Sequence, residues 1–95
     1  MTSIEYYDVR VERAEHTNEI VIRGEVVNKT SRTFNSVAVR VILFVKNIAI
    51  ANMVILINGL ASGGSRAFEA KVPDLEYDSI AKEISRYEIY TDSAY

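Results

Sequence analysis

Residues 37–45 read VAVRVILFV, and every second residue in this stretch is aliphatic. The aliphatic set is Val37, Val39, Val41, Leu43 and Val45. The residues between them are Ala38, Arg40, Ile42 and Phe44. A period of two is that of an extended chain, whose side chains alternate between two faces, and not the period of a helix. The stretch therefore predicts a β-strand from about residue 35 to residue 46, with its aliphatic face turned to a core.

The same alternation predicts further strands on both sides of this one. They span residues 6–13, 19–27, 49–57, 66–72 and 85–91. Phe68 in the fifth strand is expected to point into the core, as are Tyr7 in the first and Tyr87 in the last. Pro73 is expected to end the fifth strand, because proline has no backbone N–H to donate to a ladder.

Turn and cap signals lie between the predicted strands. Gly24, inside the second strand, indicates either a bulge or a closely packed neighbouring side chain. Residues 58–59 (Asn-Gly) and 62–64 (Ser-Gly-Gly) are both typical of turns, and only one of them needs to be a tight hairpin. A short helical turn is expected near residues 78–84, and residues 92–95 are expected to fray.

Six or seven strands at a spacing of roughly ten residues favour an all-β fold, an antiparallel β-sandwich of two sheets. A small barrel is the alternative. No connection is long enough to hold the crossover helix that parallel strands need. The 95 residues are expected to form a single domain, residues 1–95.

The composition excludes several classes of function. The chain has no cysteine and a single histidine, so disulfides, thiolate chemistry and a zinc site are not expected. The net charge is −2 with scattered Lys and Arg, so no nucleic-acid partner is expected. Residues 41–61 are long enough to span a membrane, but Lys46 and three asparagines interrupt them, and two adjacent strands explain them better than a transmembrane segment.

The N-terminal residues lack the basic and apolar regions of a signal peptide. We expect a cytoplasmic protein if Met1 is the native start. We expect an extracytoplasmic location if the chain is a domain excised from a longer exported protein.

Residues from about 20 to 90 resemble the FxLYD family of small immunoglobulin-like β-sandwich domains. The resemblance rests on Ile22-x-Gly24-x-Val26-x-Asn28, on the alternating residues 37–44, on Leu60-x-x-Gly63 and on Phe68-x-Ala70-x-Val72-Pro73. These domains occur mostly in bacterial and archaeal proteins, often at the cell surface. Phe44 stands where the family usually has Tyr, Val45 replaces the Asp, and no Gly follows, which makes that hairpin atypical. The resemblance implies an immunoglobulin-like fold and brings no established enzymatic activity or shared ligand.

Few residues are candidates for chemistry. His16 lies in a polar turn with no nucleophile near it in sequence, and we interpret it as a solvated turn residue. Asp74, Glu76 and Asp78 have the alternate spacing of calcium ligands, but the Gly and Glu that complete such a loop are missing. Residues 28–30 (Asn-Lys-Thr) match a glycosylation pattern, yet Asn28 at a strand end is expected to bond loop backbone. We therefore assign no catalytic, cofactor-binding or metal-binding residue, and expect no cofactor.

The outward face of the central strand is the candidate interaction surface. If residues 37, 39, 41, 43 and 45 face the core, then Arg40, Ile42 and Phe44 face solvent, and Val21 and Val27 fall on the outward register of the second strand. A contiguous exposed apolar patch marks a partner surface. We therefore expect a non-catalytic immunoglobulin-like interaction or structural module that binds another protein chain, in the simplest case a second copy. The alternatives are a calcium- or carbohydrate-binding module and an accessory subunit of an enzyme.

Overall fold

A computed structural model describes residues 3–95 and folds them into two antiparallel sheets. The strands are β1 (Ile4–Arg13), β2 (Glu19–Asn28), β3 (Phe34–Val45), β4 (Ile48–Leu60), β5 (Ser65–Glu76) and β6 (Arg86–Ala94). A short helix, α1 (Tyr77–Ile80), and one turn of 3-10 helix (Ala81–Glu83) connect β5 to β6. The prediction of an all-β fold with six or seven strands in two antiparallel sheets and one short helical turn is confirmed, and the number of strands is six.

The first sheet has the strand order β1-β2-β5 and the second has the order β4-β3-β6, so β2 and β3 are the two central strands. β1–β2 and β3–β4 are hairpins, while the other three connections cross from one sheet to the other. β5 contacts β4, and the hydroxyl of Tyr6 in β1 shares a hydrogen bond with that of Thr91 in β6. β1 therefore lies across from β6, and β5 lies across from β4.

The core fills the space between the two sheets. Its fully buried members from the central strands are Ile20, Ile22, Val26, Val37, Val39, Val41 and Leu43. Phe68 and Val72 from β5 and Ile55, Ile57 and Leu60 from β4 complete it. The predicted aliphatic face of β3 is thus confirmed, except that Val45, at the strand end, is partly exposed.

A β-bulge in β1 reverses the faces of that strand. Tyr7 lies opposite Glu25 and Arg10 lies opposite Arg23, so β1 has one more residue than β2 over this interval. Asp8, with a φ of 53°, adopts the left-handed conformation there. A single extra residue exchanges the two faces of a strand. Tyr6 consequently packs against the core, and the prediction that Tyr7 does so is wrong, because Tyr7 is 39% exposed.

Gly24 lies opposite Phe68 on β5, at a position that faces the core. A Cβ atom at Gly24 would lie 2.6 Å from Cζ of Phe68 and 3.2 Å from Cγ2 of Val9, the residue that follows the bulge. The expected close side chain is confirmed, whereas the bulge lies in β1, opposite Gly24, and not in β2. The Phe68 ring occupies the space that any side chain at Gly24 would need.

The ends of β5 and β6 differ from the sequence-based expectation. β5 continues beyond Pro73 to Glu76, because Val72 pairs with Ile20 and Glu76 pairs with Glu19, and the residues between them form a bulge. Proline is tolerated at such a bulge in an edge strand. Residues 92–94 belong to β6, and the N–H of Tyr95 donates to the carbonyl oxygen of Ser36 (2.9 Å), so the predicted fraying is also wrong.

Of the two turns predicted from glycine, the one at residues 62–64 forms and the one at residues 58–59 does not. The N–H of Gly64 donates to the carbonyl oxygen of Ala61 (2.8 Å), closing a turn that leads from one sheet to the other. Gly59 lies within β4, where it has a φ of 87°. The apolar residues 41–61 belong to the two adjacent strands β3 and β4, as predicted, and not to a transmembrane helix. Over residues 3–95, no helix combines the length and the apolar character needed to cross a membrane.

Candidate interaction surface

The solvent-facing side of the second sheet, which we call the outer face, brings together residues of three strands. Cross-strand pairing arranges them in rows: Leu56–Ala38–Ser93, Val54–Arg40–Tyr90, Asn52–Ile42–Glu88 and Ala49–Phe44–Arg86. The members of each row come from β4, β3 and β6 in that order. Arg40, Ile42 and Phe44, which the sequence predicted to share one face, do so on the central strand.

Apolar side chains on the outer face are unusually exposed. Val54 is 45% exposed, Leu56 is 65% exposed and Tyr90 is 44% exposed. A sheet face in water is normally polar, so large apolar groups on it have to be explained. Two of the three lie on β4, and this is the side of the outer face where the apolar area is greatest.

Arg40 lies at the centre of the outer face and is held from both sides. Its Nη1 donates to Oδ1 of Asn52 on β4 (2.7 Å), and its Nη2 donates to Oδ2 of Asp92 on β6 (3.3 Å). The guanidinium group thus links all three strands of the sheet. Because these two partners use its donors, the geometry favours a structural role for Arg40 on this face.

Phe44 is partly covered by Arg86, whose guanidinium carbon lies 3.8 Å from the centre of the phenyl ring. Arg86 is itself fixed by an ion pair with Glu88 (2.7 Å). A guanidinium stacked on a ring reduces the area of the ring that a partner could contact. Ile42, between Asn52 and Glu88, is also only partly exposed. The exposed apolar area is therefore displaced from Phe44 towards Leu56.

Val21 and Val27 do not belong to this surface, contrary to the sequence-based expectation. Both lie on β2, the central strand of the other sheet, so they are separated from Ile42 by the core. Val21 is only 1% exposed and is flanked by Glu12 on β1 and Lys71 on β5. The structure places the five predicted interface residues on opposite sides of the molecule.

The outer side of the first sheet carries a network of charges. Arg23 on the central strand donates to Glu12 on β1 (3.2 Å) and to Glu69 on β5 (3.1 Å). The hydrogen bond from Arg23 is the main reason that the pKa of the Glu12 carboxyl is lowered. Lys71 pairs with Glu19 (3.3 Å) on the same side. This side is typical of a solvated sheet face and contrasts with the outer face.

Asn28 is a fully buried polar residue at the end of β2. Its Nδ2 donates to the carbonyl oxygens of Arg32 (2.7 Å) and Leu60 (3.1 Å), while its Oδ1 accepts from the backbone N–H of Thr30 (2.9 Å). Both hydrogens of the amide are therefore in use. In the folded chain this nitrogen is not accessible for glycosylation, and Asn28 connects β2, the loop to β3 and the end of β4.

The other candidates for chemistry are His16 and the acidic residues near the end of β5. His16 is exposed in the β1–β2 turn with a φ of 63°. Asp74 and Glu76 lie in the last part of β5 and line an open surface pocket together with Glu19, while Asp78 lies in α1. Within residues 3–95, no three histidine or carboxylate side chains are arranged to hold a metal ion. A groove lined by Tyr77, Ile84 and Tyr87 opens where the connection between β5 and β6 meets β1 and β6. Tyr87 was predicted to be buried, but it is 42% exposed because it lines this groove.

Sequence reasoning did not identify Val54, Leu56 and Tyr90. β4 is apolar on both faces, so alternation alone does not show which of its residues point outwards. That information comes from the pairing with β3, which places Val54 beside Arg40 and Leu56 beside Ala38.

Comparison of the chain with protein-family models, with curated proteins and with solved structures found no match.

Proposed function

We propose that this chain is a non-catalytic immunoglobulin-like module that binds another protein chain through the outer face of its second sheet. The observation that carries the proposal is the exposure of Val54, Leu56 and Tyr90 on one sheet face. Contact with a partner removes apolar area from water at roughly 25 cal/mol per Å² before the costs of association are subtracted. The charged side of the first sheet offers no comparable area.

The strand order supports the immunoglobulin-like assignment. In that fold strands A, B and E share one sheet, while C and F are neighbours in the other. Here β1, β2 and β5 take the places of A, B and E, and β3 and β6 take those of C and F, with β4 beside β3. Membership of the FxLYD family stays part of the proposal. It is supported by the structural roles of Gly24, Asn28 and Phe68, which are residues of the resemblance.

The absence of catalysis is proposed from the positions of the titratable groups. His16 is exposed in a turn, and the groove beside Tyr77 and Tyr87 has no histidine or carboxylate among its lining residues. Glu19, Asp74 and Glu76 line a separate surface pocket, which has no histidine among its lining residues. General acid–base catalysis needs such a group within hydrogen-bond reach of a bound substrate. An interaction role requires only the exposed apolar area described above.

Substitution of Leu56 by Arg tests the proposal. Leu56 is mostly exposed, so the Leu56→Arg variant is expected to fold with an unchanged free energy of unfolding and to lose association, because a charge would have to be desolvated at the contact. Sedimentation velocity from low to high micromolar concentration measures self-association, which is the simplest form of the proposed binding to another protein chain. Circular dichroism and urea unfolding measure the fold. Glu25→Arg, at an exposed position on β2 in the first sheet, is the control and should leave association unchanged.

Two results would contradict the proposal. If Leu56→Arg unfolds the chain, this residue belongs to the fold and the outer face is not a binding surface. If Leu56→Arg and Glu25→Arg affect association equally, the outer face has no special role in it.

A further inference from the structure

The edge strand β4 lacks charges and prolines, and its one bulge, at Ile50, lies near one end, whereas each of the other three edge strands carries a feature that prevents edge-to-edge pairing. Over residues Ile48–Leu60 it carries no charged residue and no proline. β1 has the bulge at Asp8, β5 contains Pro73, and β6 carries Arg86, Glu88 and Asp92. Natural proteins protect sheet edges with charges, prolines and bulges, because an exposed edge is a template for another strand.

Hydrogen bonding between β3 and the end of the chain beside β6 shows which backbone groups of β4 point away from β3. The N–H of Tyr95 donates to the oxygen of Ser36, and the N–H of Ser36 donates to the oxygen of Tyr95 (3.4 Å), so the backbone of Ser36 points towards β6. In an antiparallel ladder this direction alternates along the strand. The backbone N–H and C=O groups of Val37, Val39 and Val41 therefore point towards β4.

The same alternation assigns the edge groups of β4. The residues opposite Ser36, Ala38, Arg40 and Ile42 direct their N–H and C=O groups away from β3, and these residues are Asn58, Leu56, Val54 and Asn52. An independent contact agrees with this assignment, since the carbonyl oxygen of Asn58 accepts a hydrogen bond from Nη1 of Arg66 on β5 (2.9 Å).

The open edge has a defined length. At one end, Leu43 pairs with Ala51 and Phe44 pairs with Ala49, so Ile50 is the extra residue of a bulge. At the other end, Arg66 covers the carbonyl oxygens of Asn58 and Gly59. The regular, uncovered part is residues 51–57, and Val54 is its midpoint.

We propose that this edge pairs antiparallel with β4 of a second copy of the chain, about a two-fold axis at Val54. The inference rests on the proposed function, because it names the partner and the geometry of that association. Val54 would face Val54 of the other copy, and Asn52 would face its Leu56. Each of these pairs can exchange two backbone hydrogen bonds. The result is one continuous six-stranded sheet with the exposed apolar side chains of β4 gathered at its centre.

Self-complementarity is the reason for choosing a second copy. A two-fold contact brings the same residues of both copies into the seam, so every charge on such an edge strand would have to be desolvated twice. β4 has no charges and avoids this cost, whereas self-pairing of β6 would bring Arg86, Glu88 and Asp92 into the seam. An unrelated extended segment would use the same backbone groups, and the experiments below separate it from a second copy.

Opposite charges at position 54 test the two-fold register. We expect Val54→Asp and Val54→Lys each to weaken self-association by about tenfold or more, because like charges would face each other across the axis. An equimolar mixture of the two variants should form a heterodimer of at least wild-type affinity in sedimentation and native mass spectrometry. The matched control is the same pair of changes at Leu56. Position 56 faces Asn52 and not itself, so mixing Leu56→Asp with Leu56→Lys should not restore wild-type affinity.

Amide hydrogen exchange of the wild type tests the backbone pairing directly and does not depend on any variant folding. The amides of Asn52, Val54 and Leu56 should exchange more slowly as protein concentration rises. Amides at the opposite edge, such as those of β1 beside Asp8, should not change.

The outcomes separate this inference from the proposed function. If Leu56→Arg abolishes association while the β4 amides stay unprotected and the mixture at position 54 gives no heterodimer, the outer face binds but the edge does not pair. If the wild type is monomeric at high micromolar concentration, pairing with a second copy is wrong.

Discussion

Gly24 shows how one missing side chain determines local packing. The ring of Phe68 lies over its Cα, and Val9 approaches from the other side because the bulge at Asp8 turns Val9 inwards. We expect Gly24→Ala to lower the free energy of unfolding by about 1–3 kcal/mol, since the new methyl group would overlap Cζ of Phe68. Urea unfolding monitored by circular dichroism measures the change.

A double-mutant cycle with Phe68→Leu assigns the cause. If the clash with the ring is responsible, the cost of Gly24→Ala should be smaller in the Phe68→Leu background. Glu25→Ala, on the exposed side of the same strand, is the control and should change stability by no more than about 0.5 kcal/mol. Equal costs of Gly24→Ala in both backgrounds would mean that backbone conformation, and not Phe68, requires the glycine.

Individual residues also show what the sequence could and could not predict. The role of Asn28 at the end of β2 and the close neighbour of Gly24 were predictable, because each depends on the chemistry of one residue type. The inward position of Tyr6 was not predictable, because Asp8 carries no strong signal for a bulge and the alternation of β1 continues across it in the sequence. An unrecognised extra residue exchanges the faces, and this is why Tyr7 was expected in the core.

At the level of elements, the contact between β1 and β6 depends on protonation. Burial raises the pKa of the Tyr6 phenol above its ordinary value of 10.0, although the hydrogen bond with Thr91 acts in the opposite direction. The folded state thus favours the neutral phenol. The resulting stabilisation is complete below pH 10 and is lost as the pH rises through the raised pKa of the folded state.

We therefore expect the wild type to lose more stability than Tyr6→Phe between pH 9 and pH 12. The other tyrosines are common to both proteins, so the difference between their unfolding free energies isolates Tyr6. Urea unfolding at intervals across this range provides the measurement. Parallel pH profiles for the two proteins would show that ionisation of Tyr6 does not affect the contact.

Strand boundaries were less predictable than the strands themselves. The alternating residues of β2 and β3 identified both central strands and their buried faces, since a half-buried strand requires that pattern. β5 extends beyond Pro73 and β6 reaches Ala94 because of pairing with β2 and β3. Such pairing is a tertiary property, so the local sequence signals of proline and of a chain end gave the wrong boundaries.

For the whole molecule, the difference between its two outer surfaces is the main functional observation. The sequence predicted that Arg40, Ile42 and Phe44 share a face, which depends only on alternation within one strand. It could not show that Val21 and Val27 lie on the opposite side, because sheet membership depends on contacts between distant segments. For the same reason Val54, Leu56 and Tyr90 were found only in the structure.

The two ends of the described chain lie at the same end of the sandwich. The carbonyl oxygen of Ser3 accepts a hydrogen bond from Lys29, and Tyr95 bonds to Ser36, at either side of the loop from β2 to β3. The order of strands along the polypeptide can therefore be changed without moving any of them. We expect a circular permutant, with the ends joined by a linker of about four to six residues and new ends at His16, to keep the wild-type circular dichroism spectrum and cooperative unfolding. A permutant that is unfolded would show that the covalent β1–β2 hairpin is needed for folding.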